Sequence, residues 1–367
     1  MIQLISPIDG SVYAERAPAS PDSARALVAS ARAAQVAWAA TPLADRAAFV
    51  QKAVDYIGET QSRMVTELAH QMGRPVRYGG EFGGFAERAN YMVSIAERAL
   101  APLVIEESSA FQRQIEREPH GVVLVVAPWN YPYMTAINTV APALVAGNTV
   151  VLKHASQTLL VGEHLADAFA AAGLPEGVFS NVVLDHQTTA DLISDRQFQF
   201  VNFTGSVAGG QAMEQAAAGT FTAVSTELGG KDPGYVRADA DLQAAVDTLI
   251  DGAMFNSGQC CCGIERIYVD ASLYDDFVER AVALVSGYTL GNPLDEATTL
   301  GPMAHARFAK VVREHIDEAT SAGAVAHIDP LSGWILGYGK WSPEPSREIV
   351  KSKFIVNLTP LMEHSGC

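Results

Sequence analysis

After Pro128 the chain alternates short β-rich runs with helical stretches, and this alternation constrains the fold more than any other feature. NTVVLK, TLLVGEHLADAFAAAG, SNVVL, TADLISD and FQFVNFTG follow in order, and a helix is expected near 208–218. Strands joined through helices pair in parallel and need cover on both faces, so the pattern predicts an α/β fold, a Rossmann-like, doubly wound parallel sheet. Upstream, residues 22–100 read as helices. Phe49, Val54, Ile57, Met64 and Leu68 fall at helical spacings and predict one buried stripe along AAFVQKAVDYIGETQSRMVTELAH. QRQIEREPHGVVLVVAP reads as a β-hairpin near 110–126 turning at His120-Gly121, its second strand buried because it is almost wholly apolar. From about Gly229 a second α/β region is expected, with a helix at 241–256, a strand at IERIYVD and helices at 272–287 and 304–322. Residues 331–367 differ in kind: they contain no alanine and hold two of the four tryptophans, Trp334 and Trp341. The reading is thus 1–228 as one domain, 229–330 as a partial second domain, and 331–367 as a compositionally foreign tail.

Charge excludes some partners. With 25 basic and 41 acidic side chains the formal charge is −16, which repels polyphosphate and anionic headgroups and disfavours nucleic acid and membrane surfaces. No apolar run is long enough to cross a bilayer, and MIQLISPIDG lacks a basic segment followed by an apolar one. A cytoplasmic protein is expected. The cysteines stand at 260, 261, 262 and 367, with no CxxC or Cys/His spacing, so neither a disulfide framework nor a metal site is expected.

Three segments carry chemistry: PWNYP at 128–132, TELGGKDP at 226–233 and FNSGQCCCG at 255–263. A glycine-flanked cysteine after a helical stretch is a candidate nucleophile, because glycine permits close approach and helix-end dipoles favour thiolate. The same residue type is also a common small buried hydrophobe. Together the segments resemble the aldehyde dehydrogenase superfamily over roughly residues 5–328. Its pattern Phe-x-Asn-x-Gly-Gln-x-Cys is met in modified form: Phe255 directly precedes Asn256, while Asn256, Gly258 and Gln259 keep their spacing to Cys261.

The resemblance implies Cys261 as nucleophile, with Cys260 and Cys262 turned to other faces of an extended segment and packed there. It implies Glu227 as a general base, expected to be partly buried so that its pKa approaches working pH. Asn130, with the backbone N–H of Cys261, would stabilise an oxyanion. For the cofactor, FTGSVAGG matches a Gly-Ser-x-x-x-Gly variant through Gly205, Ser206 and Gly210, at a strand end entering a helix. The resemblance adds Val126, Pro128, Trp129, Lys153, Ser156 and Leu228 as cofactor-binding residues. The implied reaction oxidises an aldehyde to a carboxylic acid through a cysteine thioester, with NAD or NADP as cofactor. The resemblance leaves a family-like homo-oligomer open: the strand near 111–118 resembles one that joins subunits, but the family's C-terminal oligomerising strand is not found.

Two departures matter. Lys153, His154, Ala155 and Ser156 replace the common Lys-Pro-Ser-Glu, so serine stands where a ribose-binding carboxylate would repel a 2′-phosphate, and NADP+ becomes admissible. The Glu-x-Phe-Gly-Pro motif expected further on is not found, and the tail differs from the family, which predicts poor catalysis by the chain as written. The competing readings are a noncatalytic remnant that binds dinucleotide or a partner chain, and a CoA-acylating enzyme. Glu227 argues against the latter.

Overall fold

The computed structural model describes residues 1–328 and the backbone of Thr359–Leu361. It begins with β1 (Ile2–Ile5), β2 (Val12–Arg16), α1 (Pro21–Ala40), α2 (Leu43–Glu59), α3 (Gln61–Met72) and α4 (Phe82–Leu100). Next come β3 (Leu103–Glu107), β4 (Gln112–Ile115), β5 (Val122–Val126), α5 (Pro132–Val145), β6 (Thr149–Lys153) and α6 (Leu159–Ala171). The alternation continues with β7 (Phe179–Asn181), α7 (His186–Ser194), β8 (Phe200–Gly205), α8 (Val207–Ala217) and β9 (Ala223–Leu228). Then follow β10 (Asp232–Val236), α9 (Leu242–Met254), β11 (Ile264–Asp270), α10 (Tyr274–Ser286), α11 (Ala306–Ser321) and β12 (Thr359–Leu361). Two compact units are present, one comprising 1–4, 14–65 and 80–228, the other 5–13, 66–79 and the chain from Gly229 onward. Among the described residues no helix is long and apolar enough to cross a membrane.

The first unit is built on a five-stranded sheet of order β7-β6-β5-β8-β9, parallel throughout. Every residue of β5 and β6 is buried, as the Val-rich runs require of strands covered on both faces. Val122, Leu124, Val126, Val151, Val201 and Phe203 form one core with Ala24, Val28 and Ala31 of α1, Leu192 and Ile193 of α7, and Met213 and Ala217 of α8. Strand alternation sends Val123, Val125, Val150 and Leu152 to the opposite face. There α5 packs on β5 and β6, and α2 lies against α5 and α6. Ser20 caps α1 by accepting from Ser23 N, and Pro21 occupies the first helical turn, where its missing N–H costs nothing.

Two local expectations are corrected. The hairpin near 110–126 does not form: β4 pairs antiparallel with β3, whereas β5 lies between β6 and β8. The difference follows from composition. VVLVV must be covered on both faces, which a central strand achieves, while the polar QRQI of β4 is exposed along its length. The long helical run is also interrupted. At Thr60 both N–H and hydroxyl donate to Tyr56 O, at 3.0 and 2.7 Å, and the run divides into α2 and α3.

In the second unit β10 and β11 pair in parallel, and β12 adds to the free edge of β11. Val236, Ile267 and Val269 pack with Val246 and Ile250 of α9 and with Phe277, Ala281 and Val285 of α10. Apart from Thr359–Leu361, the foreign tail at 331–367 lies outside the described residues, and so does the sequence expectation attached to it.

Candidate active site

The C-terminal edge of the first unit's sheet gathers most of the residues singled out for cofactor binding. The chain runs outward from β5 through β6 to β7, then returns to lay β8 and β9 on the other side. At such a switch point the loops leaving neighbouring strands part, and a crevice forms beyond the strand ends. Val126 and Pro128 close β5 and are buried; Trp129 and Asn130 are half-buried in the loop that follows. The Asn130 carbonyl oxygen accepts from Tyr131 N at 3.1 Å, so an oxyanion would call on the amide end of this side chain. The start of α5 is held by a residue that the sequence reading missed. Glu81, buried, accepts from Tyr133 N and Met134 N at 3.0 and 2.9 Å, meeting two donors that the first helical turn leaves without intrahelical partners. Nothing in the local sequence marks it, because it lies about fifty positions upstream.

At the end of β6, Lys153 is buried and its pKa is lowered by desolvation, against the opposing influence of Asp185. His154 follows. Its Nδ1 accepts from Ala155 N at 2.9 Å, so the proton lies on Nε2 and is donated to Pro132 O at 3.3 Å. Burial pushes its pKa down to about 4, and the neutral ring ties β6 to the start of α5. Ser156 is exposed. On the other side of β5, Gly205 ends β8, and Ser206 caps α8 by accepting from Gly209 N at 3.2 Å. Gly210 packs α8 closely on β9: a Cβ there would stand 2.8 Å from Leu228 Cδ2, and the Leu228 side chain would have to shift to admit it. These residues fit a dinucleotide. A capped helix N-terminus, a lysine with little other charge compensation and an exposed serine share the strand ends, and the N-terminal dipole of α8 favours phosphate.

Glu227 and Leu228 end β9. Glu227 is exposed, contrary to the expected partial burial, because β9 is the sheet's edge strand and its last residues are covered from one side only.

The cysteine segment belongs to the second unit. After α9 the backbone enters the left-handed region at Asn256 (φ 55°), Ser257 (φ 56°) and Gly258 (φ 70°) in succession. Such conformations cost roughly 1 kcal/mol or more each for residues other than glycine and persist only when surroundings fix them. Here the fixing groups are explicit. Asn256 Nδ2 donates to Gln259 O, and Gln259 Nε2 donates back to Asn256 O. Arg74 Nε donates to Asn256 Oδ1 at 3.3 Å, Ser257 Oγ to Gly301 O at 2.9 Å, and Ala304 N to Gln259 Oε1 at 2.8 Å. Gly301 has no alternative: a Cβ there would fall 1.9 Å from Gly73 O. The asparagine, glycine and glutamine that fix the spacing to Cys261 are therefore scaffold for a contorted turn. Arg74, Gly301 and Ala304, absent from the sequence reading, complete it.

The scaffold delivers the cysteines differently from expectation. The segment is not extended: Gly263 N donates to Cys260 O at 3.3 Å, closing a β-turn with Cys261 and Cys262 at its tip. Cys261 and Cys262 are exposed and Cys260 is half-buried, so the neighbours of Cys261 are not packed away. Cys260 and Cys262 bring their sulfurs to 3.3 Å, and this hydrogen bond, followed by burial and neighbouring charge, pushes the Cys262 thiol up to about 12. Gly230 N donates to Cys261 O at 3.2 Å, anchoring the tip.

Residues 1–332 match the profile of the aldehyde dehydrogenase family. An aldehyde dehydrogenase of Paenarthrobacter nicotinovorans is 33% identical over 341 residues, covering 91% of this chain and 74% of the relative. Succinate-semialdehyde dehydrogenase [NADP(+)] 1 of Mycobacterium tuberculosis is 31% identical, covering 88% and 72%. The structure of a 3,6-anhydro-L-galactose dehydrogenase in complex with NAP superposes with a TM-score of 0.87 at 29% identity, over 95% of this chain and 72% of that one. On the profile match and on these identities, the chain belongs to the aldehyde dehydrogenase family.

Proposed function

We propose that this chain oxidises an aldehyde to a carboxylic acid with NAD(P)+, with Cys261 as nucleophile, Glu227 as general base and Asn130 as oxyanion donor. The observation that carries the assignment of Cys261 is its turn. Asn256, Ser257 and Gly258 are held in a left-handed run by five side-chain hydrogen bonds, and that construction ends in two exposed thiols, of which Cys261 has the family pattern's spacing to Gly258 and Gln259.

Each residue then has one task. Cys261 thiolate adds to the aldehyde carbon, while the Asn130 amide and the Cys261 N–H donate to the oxygen that takes up charge. The dinucleotide, when bound, supplies the hydride acceptor that no side chain can provide. Glu227 takes a proton from water, and the resulting hydroxide equivalent cleaves the acyl–Cys261 bond, releasing the acid and restoring the thiolate. Exposure suits a base that must reach water.

The first unit is the dinucleotide-binding one in this reading, through Lys153, Ser156, Gly205, Ser206 and Gly210 beside Val126, Pro128, Trp129 and Leu228. Ser156 puts no carboxylate against a 2′-phosphate, so NADP+ is accepted, as the mycobacterial relative's name states for that enzyme. Leu103, Val104, Ile105, Phe111 and Ile115, all more than half exposed on β3, β4 and the bend joining them, suit burial in a homo-oligomer. The thiols of the turn suit a reducing compartment, the cytoplasm. The purified chain is tested with short-chain and aromatic aldehydes, NAD+ or NADP+, and ultraviolet detection of the reduced cofactor. Aldehyde-dependent reduction that disappears in Cys261→Ser is expected. Cofactor binding without reduction would favour the noncatalytic remnant, and reduction only in the presence of CoA would favour the acylating branch.

A further inference from the structure

The turn that presents Cys261 also places three soft donors together. The sulfurs of Cys260, Cys261 and Cys262 all lie within 4.8 Å of one another, with Cys260 and Cys262 at 3.3 Å. Thiolates on one tetrahedral zinc ion, each about 2.3 Å from the metal, stand about 3.8 Å apart, a separation inside the span already present. Two of the three donors are exposed, so an ion can enter and keep water as its fourth ligand. Lys231, next to the turn's anchor Gly230, forms an ion pair with Glu265.

We propose that Cys260, Cys261 and Cys262 form a chelating site for one thiophilic d10 cation of the Zn2+ class, and that occupancy withdraws Cys261 from aldehyde. The chelate stands on the three sulfurs alone; the inhibition rests on Cys261 as the nucleophile. Binding exchanges thiol protons for metal–sulfur bonds with no change of oxidation state, so no oxidant or reductant enters. Unlike a disulfide, the adduct is reversed by a chelator.

The test uses the full chain in a Cys367→Ser background, kept reduced with a phosphine and titrated with Cd2+, whose thiolate charge-transfer band reports sulfur ligation. One Cd2+ per chain is expected, displaced by Zn2+ and removed by EDTA. Cys260→Ser and Cys262→Ser should each weaken binding roughly tenfold or more, because each deletes one arm of a chelate. A Cys262→Ala variant repeats the measurement with a side chain that offers no ligand atom. Unchanged Cd2+ affinity in these variants, or no charge-transfer band in the parent chain, overturns the site. Turnover measured in parallel separates the two claims. A saturated band with undiminished aldehyde oxidation leaves the metal site standing and removes Cys261 as the nucleophile. Turnover lost without a band overturns the metal site.

Discussion

Glu227 shows how much one side chain's place in a sheet decides. Ending an edge strand, it meets solvent, and its assigned task is to activate water for the second half of the reaction. Glu227→Gln keeps the shape and removes the basicity. Single-turnover experiments are expected to retain the burst of reduced cofactor, while steady-state turnover falls about 100-fold or more; loss of the burst with turnover otherwise unchanged would contradict the role. The spacing of Asn256, Gly258 and Gln259 to Cys261 was legible in the sequence through the family pattern, and the structure gives it a physical reason, the requirements of one turn. Their partners were not. Arg74 and Gly301 lie far from the cysteines along the chain and have no periodicity, and the backbone clash that forces glycine at 301 exists only once Gly73 is beside it. The alternation expected for Cys260 to Cys262 failed for a related reason, since three left-handed residues upstream turn the chain before it can extend.

At the scale of elements, the parallel sheet and its helices were readable because VVLVV and TVVLK cannot be solvated on either face, and the hydrophobic period changes where strand gives way to helix. Pairing was harder to read. QRQI and VVLVV are close in sequence yet lie in different sheets, and only the demand for cover on both faces distinguishes them. The start of α5 makes a sharper test. Glu81→Ala leaves Tyr133 N and Met134 N without their buried acceptor and is expected to destabilise the first unit by about 1 to 3 kcal/mol. Glu81→Gln, which keeps an acceptor oxygen, should recover part of that. Urea unfolding with unchanged m-values would measure it, and Glu81→Ala matching the parent midpoint would refute the capping role.

For the whole molecule, the acid limit of stability is set in part by two buried histidines. Thr60 Oγ1 gives its proton to Tyr56 O and therefore accepts from His164 Nε2 at 2.8 Å, which leaves Nδ1 to accept from Tyr133 OH at 2.8 Å. The neutral ring is fully satisfied and buried, and a second proton, on Nδ1, would have to displace the Tyr133 hydroxyl proton from that hydrogen bond. His164, like His154, is pushed down to about 4 from an ordinary 6.5. A depressed folded-state pKa means that the unfolded chain takes up protons first as pH falls. The stability these rings contribute is present in full above pH 6.5 and is lost between 6.5 and about 4. His164→Gln should make that decline shallower by up to about 1.4 kcal/mol per pH unit, one proton's share, in urea midpoints measured across the interval. An unaltered slope would mean that the ring titrates normally.

The strand order also has a consequence in time. β5 is made first but lies in the centre, with β6 and β7 built outward on one side and β8 arriving on the other only after both. A ribosome adding 5 to 20 residues each second needs about 4 to 15 s to make the roughly 70 residues between β5 and β8. Throughout that interval the nascent chain carries an unpaired edge on its most apolar strand, the kind of edge that recruits other chains. The strand that anchors the finished sheet is thus, during synthesis, the part of the polypeptide with most need of a chaperone.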